Sequence, residues 1–388
     1  MHDLIYLDNA ATSFPKPKEV HDFMHDFYMA YGGGSPGRSR YDMGMESGEI
    51  VARTRKMLCS FFNGTDPNRL TFSYNASDSL NLIIQGMLSR GDHVITSCLE
   101  HNSVLRPLYH KQQDGLIEVT YIPFGEEGFI DPDDVKRAIK KNTKLVILNH
   151  CSNVLGTIQP VSEVGKICRE REVYFAVDAS QSAGNTRIDV REMSIDLLAF
   201  TGHKSLLGPT GIGGSYVADN VPIRITRFGG TGVNSQQRTH LEEFPYRLEC
   251  GTLNIIGIAG LYAGQKWLQE NDIDRIHARE LSLWDRLRQG LQAIEGVTTY
   301  CADSPHNHNA VLSFNIAGWE AENVGAILDV DYRIACRTGL QCAPLAHQRL
   351  GTDKIFGTVR FSLGPFNTEE HIDKAVEAVR DIAAIPRT

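Results

Sequence analysis

The sequence predicts a two-domain α/β protein built on a mostly parallel sheet. Through the first two thirds of the chain, short apolar runs rich in β-branched residues alternate with helical stretches. Strands with so few polar residues are covered on both faces, as in a parallel sheet between helix layers. After about Asn254 the alternation stops, and 388 residues exceed what one small core organises. We therefore expect a large domain over residues 15–255 and a smaller α+β domain formed by residues 1–14 and 256–388.

Three helices are predicted ahead of the first strand. In the first, apolar residues recur at helical spacing over 20–28 and stop at the glycines 32–34. The second covers about 46–62. The third follows a cap at Ser77 or Asp78 and repeats the apolar pattern.

Six strands follow, with helices between several of them. The strands are predicted at His93–Cys98, Ile117–Ile122, Lys144–Asn149, Val173–Val177, Asp196–Phe200 and Gly213–Val217, and two of the helices at Asp133–Lys141 and Val161–Glu170. Ligands of such sheets bind beyond the carboxyl ends of the strands. Polar residues cluster there, namely Glu100, His101, Asn153, Asp178, Gln181, Thr201, His203 and Lys204.

The smaller domain is predicted to begin with two long helices over about 257–271 and 273–294. Three strands and two helices complete it: strands near Val297–Tyr300, Ala310–Ile316 and Tyr332–Ala335, and helices near Ala321–Leu328 and from Glu369 onward.

Charge and cysteine usage exclude several classes of protein. The net charge is −8, and the basic residues are dispersed rather than clustered. Nucleic acids and anionic membranes need a basic face, so neither is an expected partner. The chain shows no signal-peptide pattern or apolar run of membrane-spanning length, and its eight cysteines lack the spacing of a disulfide framework. We therefore expect a cytoplasmic protein. A metal site at Cys336, Cys342 and His347 would lack a fourth ligand, so none is expected.

Lys204 is the first candidate for chemistry. It follows a predicted buried strand in Phe200-Thr-Gly-His-Lys-Ser-Leu-Leu-Gly208. Partial desolvation there would lower its pKa and favour the neutral amine that Schiff-base formation requires. Most lysines are instead solvated at the surface, but the flanking glycines and histidine favour the chemical interpretation.

The motifs resemble those of one family. The resemblance runs from Tyr6-Leu-Asp-Asn-Ala-Ala-Thr12 to Val359-Arg-Phe-Ser-Leu-Gly-Pro-Phe-Asn-Thr-Glu-Glu370, with five motifs in the expected order. The chain is similar to the class V aminotransferase-fold enzymes that use pyridoxal 5′-phosphate (PLP), and among them to cysteine desulfurases with a short catalytic loop. The resemblance implies the PLP-dependent transferase fold type I, with a large, mostly parallel, seven-stranded sheet and a smaller C-terminal domain.

The resemblance also implies how PLP would be held. Lys204 falls on the lysine that bonds the cofactor. Asp178 would keep the pyridine nitrogen protonated, so that the ring accepts electrons, although strand-end acids often only cap a helix. His101 would stack on the ring and transfer protons, although a lone histidine is more often structural. Gln181 and Asn153 would bond the phenolic oxygen.

The phosphate of PLP would be bound at a helix start. Ala76 and Ser77 would supply backbone N–H groups, and Thr201 and His203 would supply side-chain donors. Thr252 resembles the threonine that reaches the phosphate of a neighbouring subunit. A homodimer with composite sites is therefore implied.

Two residues define the substrate chemistry. Cys342 lies in Cys336-Arg-Thr-Gly-Leu-Gln-Cys-Ala-Pro-Leu345, which matches the family pattern Arg-x-Gly-x-x-Cys-Ala. An exposed thiol near Arg337 can be deprotonated and attack the sulfur of PLP-bound cysteine, whereas a cysteine without this motif is usually buried and inert. Arg360 would hold the substrate carboxylate, with Asn153 beside it, unless it forms only a structural salt bridge.

The resemblance therefore implies an L-cysteine desulfurase that stores sulfur on Cys342 as a persulfide and releases L-alanine. About eighteen residues separate Cys342 from Arg360, a short tether that suits delivery to a docked acceptor protein or a small thiol. Three alternatives remain open. They are a selenocysteine lyase, another class V lyase or aminotransferase, and a non-catalytic sulfur-relay partner that retains the fold.

Overall fold

The computed structural model describes residues 4–34, 41–301 and 303–386. Its strands are β1 (Ile5–Tyr6), β2 (Leu70–Ser73), β3 (Asp92–Ser97), β4 (Ile117–Ile122), β5 (Thr143–Asn149), β6 (Tyr174–Asp178), β7 (Leu197–Thr201), β8 (Gly213–Val217), β9 (Val297–Thr299), β10 (Val311–Ile316), β11 (Ile334–Ala335), β12 (Arg337–Gly339) and β13 (Thr358–Ser362).

The α-helices of the same residues are α1 (Lys18–Tyr31), α2 (Asp42–Phe61), α3 (Ala76–Met87), α4 (Asn102–Gln113), α5 (Pro132–Ala138), α6 (Val161–Glu170), α7 (Ile255–Asn271), α8 (Ile273–Gln292), α9 (Ala321–Tyr332), α10 (Pro344–Leu350) and α11 (Glu369–Ala384). None of these helices is both long enough and apolar enough to span a bilayer.

A seven-stranded sheet in the order β2-β8-β7-β6-β5-β3-β4 organises the larger part of the chain. The pairs from β4 through β7 are parallel, and β8 runs antiparallel to both β7 and β2. The prediction of a mostly parallel α/β sheet is confirmed. The sequence pattern missed β2, because four residues directly after the 3-10 turn at Pro67–Arg69 are too few for a periodicity to show.

Both faces of this sheet are covered by apolar packing. Along β5, Val146 and Leu148 belong to one hydrophobic core, whereas Leu145 and Ile147 belong to another on the opposite face. Successive side chains of a strand point to opposite faces, so a strand that is buried on both must be apolar throughout. This explains the continuous apolar runs of the sequence.

A separate core lies under the antiparallel sheet β12-β13-β10-β9. Trp284 of α8 is fully buried there, and its indole N–H donates to the Val311 carbonyl at 2.9 Å. Ile5 and Leu7 join the same core, and β1 pairs in parallel with β11. Residues 5–7 therefore pack with the last third of the chain.

The cores of the large sheet and of the antiparallel sheet suggest a domain boundary later than the one expected from the sequence. Ile258 and Leu261 of α7 are buried in the core of the large sheet, and α7 packs against α1 and α2. The fully buried apolar residues of α8 belong instead to the core under the antiparallel sheet. We propose that the boundary lies between α7 and α8, after Asn271 rather than near residue 255, because the apolar face of α7 is covered by the large domain.

Other elements differ from their predictions in their bounds. Helix α5 ends at Ala138, before the predicted Lys141, and the predicted strand at Tyr332–Ala335 is shortened because Tyr332 still belongs to α9. The sequence also missed β1, α4, β12, α10 and β13. Pro107 lies inside α4 and obscures its pattern.

Candidate active site

A pocket of about 360 Å³ opens where the parallel strands of the large sheet end and the smaller domain meets them. The end of β6 supplies Asp178, the end of β7 leads into Lys204, and β13 supplies Arg360 from the other side. The sequence-predicted residues that line it are Ala76, Ser77, His101, Asn153, Asp178, Gln181, Thr201, His203, Lys204, Cys342 and Arg360. The fold therefore brings together side chains that are far apart in the chain.

Lys204 lies at this pocket in an environment that favours its neutral form. Burial lowers the pKa of Lys204 to about 8, although the Asp178 carboxylate acts in the opposite direction; the positive Arg360 lowers it further. A pKa near 8 leaves a substantial neutral fraction of the amine at physiological pH. Lys204 is thus suited to act as a nucleophile and as a proton carrier.

Asp178 is almost completely buried at the end of β6. Its Oδ1 accepts hydrogen bonds from the backbone N–H of Ser180, at 2.9 Å, and from the Ser180 hydroxyl. These donors fix the carboxylate while it lines the pocket. A carboxylate fixed in this way suits a protonated ring nitrogen, because a buried negative charge requires a cationic or hydrogen-bonding partner.

His101 is held by the start of α4. Its Nδ1 accepts from the backbone N–H of Ser103 at 3.0 Å and lies 2.8 Å from the Ser103 hydroxyl. Burial and the nearby Lys204 lower the pKa of His101 to about 4. Since Nδ1 accepts the helix-capping bond, the neutral ring carries its proton on Nε2.

The start of α3 fits a phosphate group. Ala76 and Ser77 are its first residues and line the pocket, and the first amides of a helix have no acceptor within the helix. Thr201 Oγ1 and His203 Nδ1 are buried, and neither has a hydrogen-bond partner among the residues that the structure describes. Orphaned polar atoms of this kind are rare in a folded core, so they indicate a ligand that pairs with them.

Arg360 forms a buried ion pair with Asp8, a partner that the sequence analysis did not name. Its Nη2 lies 2.7 Å from Oδ1 of Asp8, and its Nη1 donates to the Asn153 carbonyl at 2.8 Å. The Arg360 Nε is buried and, within the described part of the chain, has no partner. Asp8 thus balances the buried charge, and the guanidinium retains donors for a carboxylate.

Two amides that were expected to bond the cofactor already donate to backbone carbonyls. Asn153 Nδ2 donates to the Gln341 carbonyl at 2.7 Å, and Gln181 Nε2 donates to the Ala10 carbonyl at 2.9 Å. Both residues line the pocket. An amide nitrogen has two N–H donors, so each of them can serve a further acceptor.

Cys342 stands at the rim of the pocket with an exposed side chain. Arg337, on β12, lines the same pocket. By contrast, burial raises the pKa of the neighbouring Cys336 to about 12 and that of Cys151 to about 12. Among these three thiols, Cys342 is the most exposed.

Thr252 lies apart from the other predicted residues. It is exposed and lines a separate groove with Gly48, Val51 and Thr231. The pocket of a single chain therefore does not include it. The structure also adds pocket residues that sequence reasoning did not select. Ser103, Ser180 and Gln341 hydrogen-bond His101, Asp178 and Asn153, respectively.

Comparisons with known proteins agree with this fold. Residues 5–375 match the model of the family described as aminotransferase class-V. A probable cysteine desulfurase of Methanothermobacter thermautotrophicus is 33% identical over 99% of this chain and 96% of its own length. A probable cysteine desulfurase of Pyrococcus abyssi is 33% identical over 98% of this chain and 94% of its own length.

Solved structures give the same result. The apo structure of the cysteine desulfurase of Thermococcus onnurineus is 34% identical and has a TM-score of 0.92, covering 98% of this chain and 95% of that chain. The chain belongs to the class V aminotransferase family and, within it, to the cysteine desulfurases. The family predicted from the motifs is confirmed.

Proposed function

We propose that this protein is a PLP-dependent L-cysteine desulfurase in which Cys342 receives the sulfur. One observation carries the proposal. A single pocket combines a lysine with a lowered pKa, a buried arginine with unused donors, and an exposed thiol at the rim. The lysine can attach the cofactor, the arginine can bind the substrate carboxylate, and the thiol can accept the sulfur.

The residues present fit PLP. The Lys204 amine would bond the cofactor, Asp178 would pair with its ring nitrogen, and the start of α3 with Thr201 and His203 would bind its phosphate. When bound, PLP withdraws electron density from the Cα of an amino acid and so stabilises negative charge there. The orphaned Thr201 and His203 atoms are the structural feature that most directly supports this assignment.

Arg360 would orient the substrate. Its free donors can pair with both carboxylate oxygens of L-cysteine, and its bonds to Asp8 and Asn153 fix the guanidinium. Substrate binding would therefore need little rearrangement of the arginine. Lys204 and His101 would then exchange protons with the substrate, since near pH 8 His101 is neutral and Lys204 is present in both its neutral and its protonated form.

Cys342 would carry out the sulfur transfer. Its thiolate attacks the sulfur of the substrate, a new S–S bond forms, and the Cβ–S bond of the substrate breaks. The electron pair of the broken bond stays with the carbon, which takes up a proton to complete L-alanine. The sulfur that leaves Cβ becomes the outer atom of a Cys342 persulfide, and a thiol of the acceptor removes it.

We further propose a homodimer, a sulfur-accepting partner and a cytoplasmic location. The exposed position of Thr252, outside the pocket of its own chain, supports a role in the site of a second subunit. The exposed Cys342 supports delivery to an acceptor protein or a small thiol. All eight cysteines are unpaired, which is usual in a reducing compartment.

The test is release of L-alanine and sulfide from L-cysteine in the presence of a reducing thiol. We expect Cys342→Ala to lower the rate by at least about tenfold, because the remaining groups cannot take the sulfur. Cys336→Ala is the matched control, since it removes a half-buried thiol of the same segment and should change the rate little.

Other outcomes would point to the alternatives. Equal turnover of selenocysteine by the parent and Cys342→Ala, without turnover of cysteine, would identify a selenocysteine lyase. Turnover of a different amino acid that is indifferent to Cys342 would identify another class V reaction. A protein that binds no PLP and turns over none of these amino acids would be a non-catalytic relative.

A further inference from the structure

The turn that carries Cys342 has an unusual backbone. The Ala343 N–H donates to the Leu340 carbonyl at 2.9 Å, so Gln341 and Cys342 are the two central residues of a four-residue turn. Their φ values are +40° and +58°. Turns with positive φ at both central positions are normally built from glycine, asparagine or aspartate. Something outside the turn must therefore hold these two side-chain-bearing residues in place.

The side chain of Gln341 supplies such contacts. It is buried, and its Nε2 donates to the Thr358 carbonyl at 2.9 Å, while its Oε1 lies 2.8 Å from Nε2 of His347. The Nδ1 of His347 lies 2.8 Å from the Thr352 hydroxyl. Because an amide oxygen can only accept, His347 donates from Nε2 and accepts from Thr352 at Nδ1. Each polar atom of the Gln341 amide is thus paired.

The backbone of the turn is held as well. The Gln341 carbonyl accepts from Asn153 Nδ2 at 2.7 Å, and the Cys342 carbonyl accepts from the Asn102 N–H at 2.7 Å. Asn102 follows His101, and Thr358 lies two residues before Arg360. The turn is therefore bonded to Asn153 and to the segments that carry His101 and Arg360. Its thiol, in contrast, is exposed.

We infer that Gln341 is a positioning residue that holds the Cys342 thiol at the pocket through its bonds to Thr358 and His347. The inference rests on the proposed role of Cys342 as the sulfur acceptor. Without the amide of Gln341 the turn keeps its backbone bonds but loses the side-chain bonds to Thr358 and His347, and the strained backbone relaxes. The thiol then leaves the position from which it reaches the substrate sulfur, while cofactor and carboxylate binding stay intact.

The first experiment compares Gln341→Met and Gln341→Gly with the parent, in the full chain as purified. Methionine keeps the length of the side chain without its hydrogen bonds, and glycine removes the backbone strain together with those bonds. Alkylation of Cys342 by iodoacetamide is followed on the Cys342 peptide by mass spectrometry. We expect Gln341→Met to react at least about threefold faster, because a released turn samples more open conformations, and Gln341→Gly to lie between Gln341→Met and the parent, because glycine tolerates the positive φ.

Steady-state kinetics give a second readout. We expect kcat for L-alanine release to fall by about tenfold or more in Gln341→Met and by less in Gln341→Gly, with KM changed by less than about twofold in both, since only the placement of the thiol is altered. A Gln341→Met variant that matches the parent in alkylation and kcat would overturn the inference, because the turn would then keep its conformation without the hydrogen bonds of the amide.

A pair of substitutions at His347 separates positioning from general stability. His347→Gln retains a donor toward Gln341, whereas His347→Leu does not. We expect the leucine variant to reproduce the changes of Gln341→Met and the glutamine variant to recover most of the parental values. If the His347→Leu variant has the same Cys342 alkylation rate and the same kcat as the parent, the proposed role of the hydrogen bond between His347 and Gln341 is refuted. If the parent itself does not desulfurate L-cysteine, the proposed function fails, and the alkylation rates alone decide the role of Gln341.

Discussion

The lowered pKa of Lys204 gives the most direct test of the site. Burial moves the pKa of this amine from 10.5 to about 8. Near pH 7, about one tenth of the Lys204 side chains would then be neutral, compared with about 0.03% for a solvated lysine, a ratio of about 300. An amine reacts only in its neutral form, so Lys204 should react far faster than an ordinary lysine at this pH.

Two substitutions should move this pKa in opposite directions. The Asp178 carboxylate raises the pKa of Lys204 and the Arg360 guanidinium lowers it. Asp178→Asn should therefore shift the pKa below its parental value, and Arg360→Met should shift it above. Neither substitution changes Lys204 itself, so the shifts report the electrostatic environment of the amine.

The assay is competitive acetylation of the cofactor-free chain over a range of pH. The modified Lys204 peptide is quantified by mass spectrometry, with N-acetyl-lysine amide as the solvated reference. We expect a reactivity midpoint near pH 8 for the parent. A midpoint above about 9.5 would refute burial as the controlling effect. Identical midpoints in the parent and both variants would refute the assigned charge effects.

Three further predictions concern stability. Asp8→Asn leaves the buried Arg360 charge without its partner, so the free energy of unfolding in urea should fall by about 3 kcal/mol. Asp373→Asn, in an exposed pair with Arg286, is the control and should cause no measurable change. Glu249→Ala removes the buried partner of Arg55 and an acceptor for the Phe72 N–H, and should destabilise by about 3–5 kcal/mol without altering the pKa of Lys204. Burial lowers the pKa of His150 from 6.5 to about 4. Between these two pH values the unfolded chain therefore binds a proton at His150, and the folded chain does not. Stability should therefore fall between about pH 6.5 and 4, by about 3 kcal/mol from this residue, and His150→Gln should remove that part of the decrease in urea titrations at several pH values. An equal pH dependence in parent and His150→Gln would contradict this assignment.

Much of the fold followed from local patterns. The apolar runs from β3 to β8 identified six strands of the large sheet, because a strand covered on both faces must be apolar along its whole length. Elements with weak or very short patterns were missed. β2 has four residues, and α4 contains a proline. The α7 helix was expected in the smaller domain, but its apolar face packs in the core of the large one.

The residue types at the site were also readable from the sequence, since Lys204, Asp178, Cys342 and Arg360 each lie in a motif. The tertiary structure alone decided how these residues are supported. Asp8 and Arg360 are 352 positions apart, and Gln341 meets Thr358 and His347 only after β13 and α10 have packed. A sequence motif identifies which groups can react, because a reactive residue and the neighbours that mark it are adjacent in the chain. Burial, charge balance and hydrogen-bond satisfaction depend on distant segments that meet in space, so the lowered pKa of Lys204 and the attachment of the Cys342 turn emerge only in the folded chain.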